Sequence, residues 1–241
     1  MKKGTWNFYL AEIIWIISRF VNPRGLLNAN YFASYCETKF GKFYINPDLI
    51  TNIAASPAFE RPDINYLFSL IKKDVNLKKS ILFIDVGAYF GLYTVAVANQ
   101  FKKYKKIDII SFEPGSEYLS LPTYELLEKN TKINHAENVK LYHIGLGDKN
   151  TKINNRRGIK TVKLDSLFNK KEIKKYDSIF MKIDVDGSEN EVLRGATSFI
   201  KDSPKLTILI EDFVDRRIIK ILRKQFLFDR KLTPYNSFWY K

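Results

Sequence analysis

The residues of this chain best suited to chemistry are acids that stand at the ends of apolar runs. Asp85 lies near the end of Ile81–Val86 and is followed by Gly87 and Gly91, in the order Asp-x-Gly-x-x-x-Gly. Neither glycine carries a Cβ, so the backbone can turn sharply there and let a ligand come close. A ligand at that turn also meets the free N–H groups of the helix predicted to begin at Leu92. Glu113 stands 28 residues after Asp85, between Phe112 and Pro114, at the carboxyl end of a second apolar run, Asp108–Phe112. An acid in that place of a nucleotide-binding unit is suited to accept hydrogen bonds from both ribose hydroxyls. The spacing fits neither the dinucleotide pattern Gly-x-Gly-x-x-Gly nor a phosphate loop ending in Gly-Lys-Ser/Thr. Together the two acids point to an adenosine-containing ligand without a pyrophosphate, and S-adenosylmethionine is the candidate cofactor. Asp85 is suited to hold its ammonium, directly or through water.

A second constellation is Lys182 and Asp184 in Phe180-Met181-Lys182-Ile183-Asp184-Val185-Asp186-Gly187-Ser188-Glu189. Two apart on a strand, they point to one side. On a buried strand such a pair is costly unless it is an ion pair or does chemistry. Methyl transfer from a sulfonium needs an aligned acceptor and, for an alcohol, removal of its proton. Asp184 or Lys182 could be that base or orient it, with Glu211 and Glu189 in reserve. Asp148, in the turn Gly145-Leu146-Gly147-Asp148, could accept from an adenine amino group. Asp184, Glu211 and Asp212 could hold a divalent cation through oxygen ligands, although no spacing demands one. His143 reads as a packed strand residue and His135 as a surface one.

The elements that must position these side chains alternate strand and helix from residue 81 onward, which predicts a mostly parallel sheet. Predicted strands are Ile81–Val86, Asp108–Phe112, Val139–Ile144, Ser178–Val185 and Leu206–Ile210, the last ending at Glu211-Asp212. Predicted helices are Leu92–Gln100, Ser116–Asn130 with Pro122 interrupting its opening turn, and Ser188–Ile200. Residues 149–178 read as an insertion, with a polar hairpin at Asn154-Asn155 and a strand over Lys160–Leu164. The C-terminal segment, with Phe226, Phe228, Phe238 and Trp239, is expected to supply a helix and the edge strands. Residues 1–75 read as an N-terminal cap, broken at Asn46-Pro47-Asp48 and Arg61-Pro62-Asp63, and residues 76–241 as the catalytic domain.

The 241 residues suffice for one sizeable core, and 45% hydrophobic with 15% aromatic residues excludes a disordered chain. One cysteine, Cys36, excludes an intrachain disulfide and fits a reducing, cytoplasmic setting. Two histidines and one cysteine cannot build a common zinc site. The net charge of +14 invites a nucleic-acid reading, yet it is spread along the chain and lysines outnumber arginines 30 to 10. Readers of bases and phosphates favour the arginine fork, so no specific nucleic-acid partner is expected. Phe8–Ile17 is apolar except for Glu12 and too short to span a bilayer, which needs about 20 residues. It reads as a helix packed on the domain or on a partner subunit, with a peripheral membrane contact through residues 6–21 as the alternative.

Taken in order, Phe83-Ile84-Asp85-Val86-Gly87-Ala88-Tyr89-Phe90-Gly91-Leu92-Tyr93-Thr94, then Phe112-Glu113-Pro114, then Thr161-Val162-Lys163-Leu164-Asp165-Ser166-Leu167, then Met181 to Glu189 with Val192-Leu193-Arg194-Gly195-Ala196, resemble the FkbM-type methyltransferases. The resemblance spans roughly residues 80–212. It implies a class I, Rossmann-like α/β fold with helices on both faces of a mostly parallel sheet, here with a helical N-terminal extension. It also implies S-adenosylmethionine as cofactor and O-methylation of a sugar, glycolipid or secondary metabolite. The candidate cofactor set is then Asp85, Gly87, Ala88, Tyr89, Gly91, Thr94, Glu113, Pro114, Gly147, Asp148 and Asp184. The candidate catalytic set is Asp184, Lys182 and Glu211, and no metal is assigned. Tyr89 stands where the family often has histidine or asparagine, and Asp186 where glutamate is commoner. Two other readings remain open at this stage: an RNA methyltransferase, and a non-catalytic adenosine-binding scaffold.

Overall fold

A computed structural model describes residues 34–46, 51, 54–56, 59–115, 123–151, 160–212 and 217–241. The predicted helix over residues 8–17 and the hairpin at Asn154-Asn155 lie outside the described residues. A hairpin of β1 (Tyr35–Thr38) and β2 (Gly41–Tyr44) leads to helix α1 (Arg61–Asn76). Alternation follows with β3 (Ile81–Val86), α2 (Leu92–Gln100), β4 (Ile107–Phe112), α3 (Thr123–Ile133) and β5 (Val139–Tyr142). Two short strands, β6 (Gly145–Leu146) and β7 (Thr161–Val162), pair beside the main sheet. Helix α4 (Lys170–Ile173), β8 (Ser178–Ile183), α5 (Glu189–Gly195), α6 (Thr197–Asp202) and β9 (Leu206–Glu211) come next. Helix α7 (Arg217–Leu222) and the antiparallel strands β10 (Leu227–Arg230) and β11 (Asn236–Tyr240) end the chain.

The central sheet has seven strands in the order β5-β4-β3-β8-β9-β11-β10. The first five run parallel; β11 pairs antiparallel with β9, and β10 pairs antiparallel with β11 and so runs in the same sense as the five. All six residues of β3 and of β8 are buried, as expected of central strands covered on both faces. Ile81 and Phe83 pack with α1, α2 and the hairpin, whereas Leu82 and Ile84 pack with the layer of α5, α6 and α7. Helix α2 is buried along Leu92–Ala98, because sheet and N-terminal hairpin enclose it. The strand order reverses at the β3–β8 boundary, the place where open α/β sheets bind ligands beyond their carboxyl ends. Asp85 and Lys182 face each other in register at that boundary.

Several boundaries differ from the sequence-based expectation. The strand over Val139–Ile144 stops at Tyr142, where a tight turn from Ile144 N–H to the Tyr142 carbonyl ends it. His143 is therefore not a core residue: it is exposed and stacks on Tyr124 at 4.0 Å between ring centroids. The strand over Lys160–Leu164 shrinks to Thr161–Val162, followed by a 3₁₀ turn at Leu164–Ser166. The helix over Ser188–Ile200 breaks at Ala196. Gly195 lies so close to the Gly147 carbonyl that an added Cβ would stand 1.8 Å from its oxygen. Asp165 then caps the new helix, accepting from Ser198 N–H at 3.0 Å and Phe199 N–H at 2.8 Å.

Candidate active site

The turn after β3 is tied to the end of β4. Gly87 N–H and Ala88 N–H both donate to the Phe112 carbonyl, at 2.9 and 3.1 Å. Gly87 has φ 78° and crosses the chain end of β8 so closely that a Cβ would stand 1.8 Å from the Asp184 carbonyl oxygen. Gly91, at φ 90°, starts α2. Tyr89 lies between them in the same left-handed region, φ 54°, which disfavours a residue with a Cβ. Its N–H donates to Glu113 Oε2 at 2.7 Å, and its hydroxyl sits 2.7 Å from Thr51 Oγ1. Glu113 also accepts from Gly115 N–H at 3.0 Å and Thr123 Oγ1 at 2.9 Å. Burial pushes the Glu113 carboxyl up, and these three donors oppose that shift. A carboxylate has about four lone-pair sites, so Glu113 keeps acceptor capacity beyond the bonds that hold the loop.

Asp85 lies deeper than the sequence suggested. It is 2% exposed, accepts from Thr94 Oγ1 at 2.6 Å, and Thr94 in turn meets Ser111 Oγ at 2.7 Å. Burial pushes its carboxyl up to about 6, against the pull of Thr94 and Lys182. Asp148 pairs with Arg194 at 3.2 Å, beside Gly147, whose N–H donates to the Val162 carbonyl. Pro114 lies between Glu113 and Gly115 in the chain segment that leaves β4.

The second half of the site surrounds a buried cation. Lys182 is 2% exposed and its Nζ donates to Asp184 Oδ2 at 2.8 Å and to Asn236 Oδ1 at 3.1 Å. The Tyr93 ring lies 5.2 Å from the ammonium. Burial pulls the ammonium down, and the Asp184 and Glu60 carboxylates more than offset that, so its pKa is held above the ordinary lysine range. Asp184 is half-buried, its side chain 34% exposed, so it links the buried cation to the open edge. Glu211, at the end of β9, is pushed up to about 8 by burial and by Asp184, with Lys182 acting in the opposite direction. Its Oε2 is buried and meets no hydrogen-bond donor among the described residues.

Two expectations need correction here. Asp212 does not join an acidic cluster with Asp184 and Glu211, because Lys231 takes its carboxylate. Asp186 stands in its place: one oxygen each of Asp184, Asp186 and Glu211 lie within 4.8 Å of one another. Glu189 is turned away from a base's role. It is 1% exposed, and its Oε1 accepts from Val185 and Gly187 N–H, both at 3.1 Å, which fixes the turn after β8.

The model of the Methyltransferase FkbM domain matches residues 85–225, more than half of the chain. The chain belongs to the FkbM methyltransferase family. Its seven-stranded sheet is the class I, Rossmann-like methyltransferase fold. Among solved structures it is similar to an FkbM methyltransferase from Methylobacillus flagellatus, at 22% identity and a TM-score of 0.45. That match covers 68% of this chain and 43% of the other, so this chain spans less than half of that protein. It is also similar to a SAM-dependent methyltransferase from Aquifex aeolicus, at 13% identity and TM-score 0.44, covering 76% and 97% of the two chains. A Streptococcus pneumoniae protein solved with S-adenosyl-L-methionine matches at 9% identity and TM-score 0.45, covering 74% and 71%. No curated protein sequence matches the chain.

Within this member of the family, sequence reasoning missed Glu60, Asp63, Tyr93 and Asn236. Asn236 Nδ2 donates to Glu60 Oε1 at 2.6 Å and to Asp63 Oδ2 at 3.1 Å, and Glu60, Asp63 and Asn236 are all buried. They stand up to 176 residues apart in the chain. The one available signal was Arg61-Pro62-Asp63, a proline and an acid in a helical first turn, which marks the start of α1 but not its target.

Proposed function

We propose that this chain is an S-adenosylmethionine-dependent methyltransferase that O-methylates a hydroxyl of a sugar, glycolipid or secondary metabolite. The observation that carries the reading is the pair of buried Lys182 and half-buried Asp184 beside a Glu211 oxygen that meets no donor among the described residues, at the carboxyl ends of β8 and β9. The residues fit the cofactor. Glu113 retains acceptor capacity at the place suited to a ribose, and the Gly87–Gly91 turn lies next to it. When bound, S-adenosylmethionine would supply an electrophilic methyl group on a sulfonium. Glu113 and the Gly87–Gly91 turn would hold its adenosine end, with Asp85 and Thr94 supporting the turn from below.

Asp184 is the candidate base: its side chain is partly open to the acceptor, and the Lys182 ammonium holds one of its oxygens at 2.8 Å. Glu211 Oε2 would accept a hydrogen bond from an acceptor hydroxyl and align it. The overall charge of +14 is the one feature on the side of a nucleic-acid acceptor. Against it, the outer residues of this half-site include the acids Asp184 and Asp186, which disfavour a phosphate there. No helix among the described residues is long and apolar enough to cross a membrane.

Calorimetric titration with S-adenosylmethionine and S-adenosylhomocysteine tests the cofactor. A radiolabelled methyl donor offered with sugars and glycolipids then tests the acceptor. Micromolar binding and label on a hydroxyl are the expected results; no binding at millimolar ligand would overturn the reading.

A further inference from the structure

The ammonium of Lys182 is held by an amide whose two ends differ chemically. Asn236, wholly buried on β11, turns its oxygen to Lys182 at 3.1 Å and its nitrogen to Glu60 at 2.6 Å and Asp63 at 3.1 Å. An ammonium only donates, and ionised carboxylates only accept. One orientation of the amide satisfies all three neighbours, and the two carboxyls select it. Asp63 is itself fixed by Thr233 Oγ1 at 2.6 Å and stands in the first turn of α1, where the helix dipole favours an acid.

Glu60 precedes α1 but makes no side-chain cap to it, and its backbone is left-handed at φ 51°. A residue with a Cβ is strained in that region. Its side chain, instead of reaching water, is buried against Asn236. Both the conformation and the burial make sense if the carboxyl is needed where it is.

We propose that Glu60 is a positioning residue for methyl transfer, acting through Asn236 to fix the Lys182 ammonium and so to hold Asp184 toward the acceptor. This rests on the reading of Lys182 and Asp184 as the reaction pair. Asn236 and the Tyr93 ring confine the ammonium, and Asp184, 34% exposed, takes its orientation from that cation. The N-terminal segment thus supplies part of the reaction machinery.

Lysine-¹⁵N-labelled protein tests this with S-adenosylhomocysteine present. The buried ammonium should give a slowly exchanging resonance, assigned by its loss in Lys182→Met. Glu60→Gln keeps the shape but removes one of the two acidic groups that hold the amide and the charge that Glu60 sets near Lys182. The expected result is a shifted or broadened Lys182 resonance, kcat lowered about tenfold or more, and KM for S-adenosylmethionine within about twofold of the parent. Glu60→Asp, which retains the charge, should recover part of both signals, and it carries the same readouts if Glu60→Gln does not fold. An unchanged resonance and kcat in a folded variant overturn the proposal. A shifted resonance in a protein whose parent transfers no methyl group would overturn the reaction reading while leaving the placement of Lys182 by Glu60 standing.

Discussion

The two halves of the site are built differently. At the ends of β3 and β4, Asp85 and Glu113 are met by partners close in sequence: Thr94 nine residues on, Thr123 ten, Tyr89 twenty-four. At the ends of β8 and β9, Lys182 is met by Asn236 fifty-four residues away, and Asn236 by Glu60 across 176. In the first half Asp85 and Glu113 each have donors within 24 residues along the chain. In the second, one buried cation serves Asp184 and Glu60, and one Glu211 oxygen meets no donor among the described residues. On the proposed function, the half assigned to the cofactor is a local motif, whereas the half assigned to the acceptor is assembled by the whole fold.

The comparison predicts that the second half is the more fragile. Lys182→Met strands buried carboxyls without their cation, and removal of one partner from a buried pair costs about 3 kcal/mol. Chemical denaturation should show that loss; a change under about 0.5 kcal/mol would mean that the neighbouring acids simply take up protons. Asp184→Asn keeps the shape and an acceptor oxygen for Lys182, so the protein should still fold, at some loss of stability, while turnover falls at least about 100-fold. Full turnover in the radiolabel assay would remove Asp184 from the mechanism.

Effects in the first half should be smaller and confined to the cofactor. Glu113→Ala is expected to weaken S-adenosylmethionine binding at least about tenfold, about 1.4 kcal/mol. Calorimetry showing unchanged affinity would dissociate Glu113 from the ribose and leave it the bonds to Tyr89, Gly115 and Thr123. The smallest effect concerns Glu211, pushed up to about 8. Between its ordinary value near 4.5 and about 8 the folded chain holds a proton that the unfolded chain has released, so this group makes stability fall as pH rises through that window. Glu211→Gln should flatten that part of the stability–pH profile, measured as Tm from pH 5 to 9. An unaltered profile would place the titration elsewhere.

Much of the first half was legible in the sequence because its causes are local. A run of β-branched and aromatic residues makes β3, glycines allow the turn, and Leu92–Gln100 forms the helix with the expected limits. Lys182 and Asp184 do meet as the spacing implies, although β8 ends at Ile183 and Asp184 lies just past it instead of on the predicted strand to Val185. What failed did so where a distant group decides. The Ser188–Ile200 helix breaks because Gly195 meets the Gly147 carbonyl and Asp165 supplies a new cap. Asp212 left the acidic cluster because Lys231 reached it first.

By itself, then, the sequence determined the parallel sheet, the acid at each strand end and the glycine turn, since these depend on side-chain period, backbone freedom and burial within a few residues. Only the tertiary structure decided which acids find partners. Glu60, Asn236 and Lys182 come from a segment before α1, an edge-side strand and a central strand, and no spacing along the chain encodes their meeting. Burial then converts that meeting into chemistry, because a charge removed from water is governed by the few groups packed against it.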